Sequence, residues 1–342
     1  MSVPIGQAWR LLNQGEDQLG ADFYFRTFAF PGPKTQVHTT LIHHLGNQQA
    51  SKAILYVHGY TDYFFQAGLA QHFVEQGYRF YAVDLQGYGR SIRPSTPPNW
   101  CDSVDQYSQD LDIALATMKQ DGVEQVVILA HSTGGLVVST YLAQPYALPE
   151  RESHYQMPFP EVIGLMLNSP FLALPFSPAV LNRISWPIRI LVSALPFSFI
   201  RAKKISIYAK TLHCRFGGEW DYRLDWKPAE GFDLSFHWLK EIILAQRNLA
   251  QQSIRIPTLL CRSKISTIGK ASVIETQQGD GVLDVNSMKQ AAQRSFANLT
   301  EAVIDKGFHD LYLSHESARN DYLNAMDEWL GTLIPEDDST SD

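Results

Sequence analysis

Ser132 stands in VILAHSTGG (residues 127–135), after an apolar run and directly before Thr133 and two glycines. The Val, Ile and Leu residues before it favour a buried strand, and LVVSTYLA after it has the composition and length of a helix start. The chain must therefore reverse within about three residues, a geometry that strains the serine backbone and holds its hydroxyl clear of the surrounding chain. A hydroxyl presented in that way can attack a carbonyl carbon. Strand and helix nearly touch at such a turn, so the residues two places to either side must be small, and Ala130 and Gly134 are. Serine is also an ordinary helix N-cap, but a cap sets no size limit on both neighbours.

A serine hydroxyl is a weak nucleophile until a base takes its proton, and the charge that then develops on the carbonyl oxygen needs donors. One donor is the Thr133 amide, at a helix start where N–H groups point outward. The second is the Tyr60 amide, in the loop after AILYVH (residues 53–58), where Gly59 lets backbone approach a ligand. Eleven histidines compete for the role of base. His309, in DKGFHDLYLS (residues 305–314), follows the last strand pattern and would meet the other strand ends. His131 adjoins the serine but should face away across the turn; His43 and His44 belong to an early hairpin, and His315 to a helix surface. For the acid that orients the base, VIETQQGDGVLDVNSM (residues 273–288) offers Glu275, Asp280 and Asp284. Asp280, between Gly279 and Gly281, has the freedom to aim inward and is favoured. Asp284 stands where it could cap the helix that begins near Val285, and stays open as the alternative.

Residues so far apart meet only if the elements between them converge. DFYFRTFAF (22–30) and VHTTLIHHL (37–45), around the turn-forming PGPK, predict an antiparallel entry into a sheet. Apolar strands at 53–58, 79–84, 126–130 and 162–168 then alternate with helices near 64–76, 103–120 and 134–145. That alternation predicts an α/β class with a mostly parallel sheet covered on both faces. It lapses after Asn168 and resumes with a strand at 257–263, a helix at 285–297, a strand at 300–306 and a helix at 317–332. Between lies a stretch rich in Phe, Trp, Ile, Leu and Pro, with helical pieces such as 235–249. The expected organisation is a core of residues 1–170 and 251–335, a helical cap of residues 171–250 over the strand ends, and a disordered acidic tail of residues 336–342. No internal repeat is visible.

The bulk numbers narrow the partners. With 342 residues, 45% hydrophobic, the chain can build a large core, and its net charge of −7 with 28 basic residues spread without a bunched run offers nothing to a phosphate backbone. Nucleic acid is not an expected partner. Cys101, Cys214 and Cys261 have no CxxC spacing and read as buried thiols of a reducing compartment. The first twenty residues lack a basic start and an apolar run, so a cytoplasmic location is expected. Residues 177–200 are the greasiest, but Arg183, Pro187, Arg189 and Pro196 leave no piece long enough to span a bilayer, though the surface could touch lipid transiently. DLQGYGRS (84–91) places GxG after a strand; without a third glycine, and away from the first βα turn, it does not predict a nucleotide site.

Five segments in order, residues 57–91, LAHSTGG (129–135), LNSPFLAL (167–174), GDGVLDV (279–285) and GFHDLYLS (307–314), resemble the serine hydrolases of the α/β-hydrolase superfamily. Within it they are similar to the monoacylglycerol lipase and lysophospholipase branch of the serine aminopeptidase S33 type. The resemblance implies an α/β-hydrolase fold with an inserted helical cap, a Ser132, Asp280, His309 triad, and Tyr60 and Thr133 amides as oxyanion hole. It also implies hydrolysis of medium or long acyl esters through an acyl-serine, with no metal or organic cofactor. Phe171, Leu174, Phe176, Trp186 and Trp238 could line an acyl tunnel. Departures are Ala130 in place of the commoner glycine, a long loop before Asp280, and HGYTDYFFQ without the second histidine of many relatives. Two rivals are weighed: a proline iminopeptidase-like peptidase, needing cap carboxylates such as Glu219, Asp221, Asp225 or Glu230, and a non-catalytic ligand-binding relative. Oligomeric state is not legible.

Overall fold

Residues buried on both faces of a sheet must be apolar throughout, and the strands at the centre of this chain are. The computed structural model describes residues 9–32, 35–95, 97–144, 159–176 and 199–333, with scattered positions between 180 and 195. Trp186 and the acidic tail lie outside the described residues. An antiparallel meander of β1 (Arg10–Asp17), β2 (Gly20–Pro31) and β3 (Gln36–His44) enters the sheet. Six parallel strands follow: β4 (Lys52–Val57), β5 (Arg79–Asp84), β6 (Gln125–His131), β7 (Glu161–Asn168), β10 (Thr258–Ser263) and β11 (Leu299–Ile304). The two-residue strands β8 (Phe199–Ile200) and β9 (Leu234–Ser235) pair separately. The large sheet runs β1-β2-β3-β5-β4-β6-β7-β10-β11.

Successive residues of β4 enter opposite layers, as the two-residue period of a strand requires. Leu55 and Val57 join a core with α2 (Ser108–Gln120) and α3 (Thr133–Leu142). Ile54 and Tyr56 join the other, with α1 (Ala67–Glu75) and the C-terminal helix. After β5 the chain crosses back over β4 to build β6, so the loops that leave β4 and β6 diverge and open a crevice at the carboxyl ends of the strands.

In the segment from 171 to 250 the described elements are the β8–β9 pair, α4 (Ile207–Leu212) and α5 (Phe236–Leu249), which packs on α3. Ser235 caps α5 by accepting the His237 and Trp238 amides. The remaining α-helices among the described residues are α6 (Val273–Thr276), α7 (Val285–Ser295) and α8 (Glu316–Leu333).

Two expectations change. Strand β1 was not foreseen, because Leu11 and Leu12 are exposed and its sequence shows no buried alternation. Cys214 is exposed, lying in a single 3-10 turn of the inserted segment, while Cys101 and Cys261 are buried as expected. Burial pushes the Cys101 thiol up to about 12. The GxG turn is structural: Arg90, only 6% exposed, ties Asp17 at the end of β1 to Asp84 at the end of β5, with nitrogen–oxygen distances of 2.6 and 2.8 Å.

The approach of α3 to β4 is testable. A Cβ at Gly134 would lie 2.3 Å from the His58 carbonyl oxygen and 2.7 Å from that of Val57, both backbone atoms. Gly134→Ala is expected to lower unfolding stability by about 3 kcal/mol in urea titration. Gly331→Ala, in α8 with nothing within 4 Å of the added methyl, should raise it by about 0.5–1 kcal/mol.

Candidate active site

Ser132 adopts φ 52° and ψ −118°, a conformation that costs a non-glycine residue on the order of 1–3 kcal/mol. Its neighbours hold it there. The Ser132 amide donates to the Asn168 carbonyl at 3.0 Å, and its own carbonyl accepts from Gly135 at 3.0 Å and Phe171 at 2.9 Å. The hydroxyl is directed at His309, with Oγ 2.9 Å from Nε2.

The His309 Nδ1 lies 3.0 Å from Asp280 Oδ2. Asp280 is fully buried, and its other oxygen accepts the Val282 and Leu283 amides at 2.8 Å each. With the carboxylate at Nδ1, the imidazole carries its proton there and turns a lone pair at Nε2 toward the serine. Asp284 does something different: it caps α7, accepting the Ser287 amide at 2.8 Å and the Ser287 hydroxyl at 2.6 Å. Glu275 is exposed and accepts from the Ser272 hydroxyl at 2.8 Å. Of the three candidate acids, only Asp280 meets the imidazole.

The loop bearing His309 is fastened by groups that sequence reasoning missed. Asp310, 2% exposed, accepts from Asn168 Nδ2 at 2.9 Å and Gln66 Nε2 at 3.1 Å. Asn168 returns a bond by accepting the Leu311 amide at 3.2 Å. The Tyr208 hydroxyl, from α4, accepts the Asp310 amide at 2.9 Å, and its ring stands edge-on to His309 with centroids 5.8 Å apart. Asp310 directly follows the histidine in FHD, which was the available signal. His131 lies nearer the site than expected, its ring centroid 4.9 Å from that of His309. Burial, foremost, holds its imidazole below the usual value and therefore neutral.

On the opposite side, His58 Nε2 accepts the Leu85 amide at 3.1 Å, which leaves Nδ1–H to donate to the Gly59 carbonyl at 2.8 Å. This orients the peptide that leads into Tyr60. A Cβ at Gly59 would come within 3.0 Å of the Ser132 Cβ, so the loop backbone passes directly beside the serine. Among the described residues, neither the Tyr60 nor the Thr133 amide is taken up by a backbone acceptor. Two unsatisfied N–H groups beside a hydroxyl are what a developing oxyanion needs.

The residues named for an acyl tunnel scatter more widely. Phe171 is half-buried beside the serine backbone, and Trp238 is buried with its ring 4.2 Å from that of Tyr60. Leu174 packs with Ile188, Val192 and Ile243 in a small separate cluster. Phe176 is 48% exposed. His213, Cys214 and Asp221 approach one another closely enough to suggest a metal. Both His213 nitrogens are already engaged, however: Nδ1 accepts the Arg215 amide, and Nε2 donates to the Tyr222 carbonyl.

The family model described as serine aminopeptidase, S33, matches residues 48–315. The chain belongs to this family. Solved structures agree on the α/β-hydrolase fold of this S33 member. A soluble variant of the Saccharomyces cerevisiae monoglyceride lipase, in complex with a substrate analog, is similar at 15% identity over 98% of both chains, with a TM-score of 0.59. The Paleococcus ferrophilus monoacylglycerol lipase is similar at 17% identity over 82% of this chain and 94% of its own, with a TM-score of 0.56. The mouse alpha/beta hydrolase domain-containing protein 10 is similar at 14% identity over 90% and 98%, with a TM-score of 0.53. No curated protein matches the sequence significantly.

The two aspartates can be separated by experiment. Asp280→Asn should lower kcat for a p-nitrophenyl ester by about ten-thousandfold, the scale seen when the orienting carboxylate of a serine triad is lost. Asp284→Ala should leave kcat within a few-fold and lower unfolding stability by about 1 kcal/mol through the lost cap.

Proposed function

We propose that the chain hydrolyses carboxylic esters of medium or long acyl chains, of the monoacylglycerol or lysophospholipid type, through an acyl-Ser132 intermediate. The observation that carries this reading is the unbroken relay from Ser132 Oγ through His309 to buried Asp280, with distances of 2.9 and 3.0 Å, on a strained turn beside two open amides. His309 Nε2 takes the hydroxyl proton as Oγ bonds to the ester carbon. The carbonyl electron pair moves onto oxygen, where the Tyr60 and Thr133 amides receive it. Collapse expels the alcohol, which leaves with the proton from Nε2. Water then repeats the sequence on the acyl-enzyme, and Asp280 steadies the imidazolium in both halves.

An acyl substrate is favoured by apolar side chains near the serine: the Phe171 amide donates to the Ser132 carbonyl, and Trp238 packs on Tyr60, one residue past the glycine that meets the Ser132 Cβ. Phe176, Ile190, Ile200 and Leu244, all in the inserted segment, are about half exposed, at 48, 51, 50 and 49%. Side chains of that kind favour transient contact with a micelle or membrane surface. Among the described residues, no helix is long and apolar enough to cross a membrane.

A peptidase would need a carboxylate free to hold a substrate amino group. Glu219 is paired with His315 and Arg319, Asp225 with Arg223 and Asp221 with His213, while Glu230 is exposed to solvent. None of these favours the peptidase reading. The test compares p-nitrophenyl esters of increasing chain length with an aminoacyl anilide, using wild type and Ser132→Ala. Ester cleavage rising toward longer chains and lost in Ser132→Ala is expected, together with fluorophosphonate labelling at Ser132. Preference for the anilide would favour the peptidase, and failure to label would favour a non-catalytic relative.

A further inference from the structure

Two carboxylates besides Asp280 are buried around the site, and they are answered differently. Asp310 is met by neutral amide donors from Asn168 and Gln66. Asp62, 1% exposed, is met by a full cation: Lys227 Nζ lies 2.5 Å from Oδ1. The other oxygen, Oδ2, accepts the Gly59 amide at 3.3 Å. One carboxylate therefore joins a lysine of the inserted segment to the His58–Gly59 peptide, one unit before the peptide that carries the Tyr60 amide.

The lysine is itself closely held. Its ammonium stands 5.5 Å from the Phe65 ring centroid and 5.6 Å from that of Tyr222. Around it, segment 222–227 is bound to the loop after β4 at several points. The Arg223 amide donates to the Tyr63 hydroxyl at 2.7 Å, the Trp226 ring is edge-on to Tyr63 at 5.2 Å, and Tyr222 packs on Phe65 at 5.0 Å. The other titratable groups near Asp62 are His58, His131, Tyr56 and Tyr63 from the core, and Tyr208 and Tyr222 from the inserted segment. Lys227 is the cation that decides its state. Burial alone would raise the Asp62 carboxyl, yet with Lys227 beside it the group lies below its ordinary value.

We propose that Lys227 is a positioning residue for the reaction at Ser132, holding the Gly59 amide at the start of the oxyanion loop through Asp62 and cancelling that carboxylate's field where the oxyanion forms. An uncompensated carboxylate against the oxyanion loop would oppose the charge that the Tyr60 and Thr133 amides are placed to receive. The pairing serves the transition state more than substrate capture, because the opposing charge exists only after Oγ has added. This role rests on the ester-hydrolase reading above.

The test is a charge cycle, with rates normalised to the fraction of Ser132 titrated by a fluorophosphonate. Lys227→Met keeps the apolar stem between Phe65 and Tyr222 but removes the charge. It should lower kcat by about ten- to a hundredfold with KM changed less than threefold. Because the unpaired Asp62 regains a raised pKa, the loss in Lys227→Met should be smallest at low pH and grow as pH rises and the carboxylate ionises; wild type should lack this step. Asp62→Asn combined with Lys227→Met should recover most of kcat and abolish the step, and Lys227→Arg should stay within a few-fold of wild type. Unchanged kcat and pH profile in Lys227→Met would overturn the proposal. So would a double variant as impaired as the single one, since loss of packing alone would not be rescued by neutralising Asp62. Failure of wild-type Ser132 to label would end the ester-hydrolase reading, and this role with it; normal labelling with no charge effect would end this role alone.

Discussion

The contact between the first turn of α3 and the end of β4 is the constraint on which the site depends. Gly134 sits so close to the Val57 and His58 carbonyls that a single methyl cannot be placed between them. That closeness draws the serine to the mouth of the crevice and brings the Gly59 loop against its Cβ. The positive φ at Ser132 follows from the same demand, since a relaxed serine would let the helix start further from the sheet. The strain is sustained by three backbone hydrogen bonds around Ser132 and by the fully buried strands beneath it, which together over-determine the turn.

The inserted segment is best understood as a second wall of the same site, because it is fastened to both loops that carry the proposed chemistry. Tyr208 accepts the Asp310 amide, and Trp220 donates to the Leu313 carbonyl at 2.9 Å, so one stretch rests on the histidine loop. A few residues later, Arg223, Trp226 and Lys227 close on the loop after β4. A rearrangement of this segment would therefore act on the base and on the oxyanion loop together. The burial of Ser132 and His309, 7 and 4% exposed, is consistent with that covering.

How much of this could be read in advance varied with the physics of each part. The central strands were legible because burial on both faces forces unbroken apolar runs, and Ser132 and His309 because a tight strand-to-helix turn and a loop after the last strand have local signatures. Strand β1 left no such mark: it is an edge strand paired only with β2, and its side chains are mostly exposed. The choice between Asp280 and Asp284 depended on long-range register. Asp280 is drawn under the imidazole because its amide donates to the Ile265 carbonyl and its carbonyl accepts the Thr267 amide, pairings made across more than a dozen residues that include α6. Asp284, four residues on, is left to the helix. The Lys227–Asp62 pair spans 165 residues with no motif at either end, so only the folded chain could reveal it.

The arrangement of charge gives these separate contacts a common sense. Beside His309 stand two buried carboxylates, Asp280 at Nδ1 and Asp310 in the next residue, the latter met by amides of Asn168, Gln66 and Tyr312. Beside the Gly59 amide the buried carboxylate of Asp62 is paired with a lysine, and the neighbouring imidazole of His131 is held neutral. One side of the serine thus favours a positive charge and the other no longer resists a negative one. Acyl transfer in the proposed mechanism creates that separation when the proton reaches His309 and the carbonyl electrons reach oxygen. Since both fields are set before any substrate arrives, the fold bears the cost of orienting them, and the reaction itself requires little rearrangement of the surrounding charges.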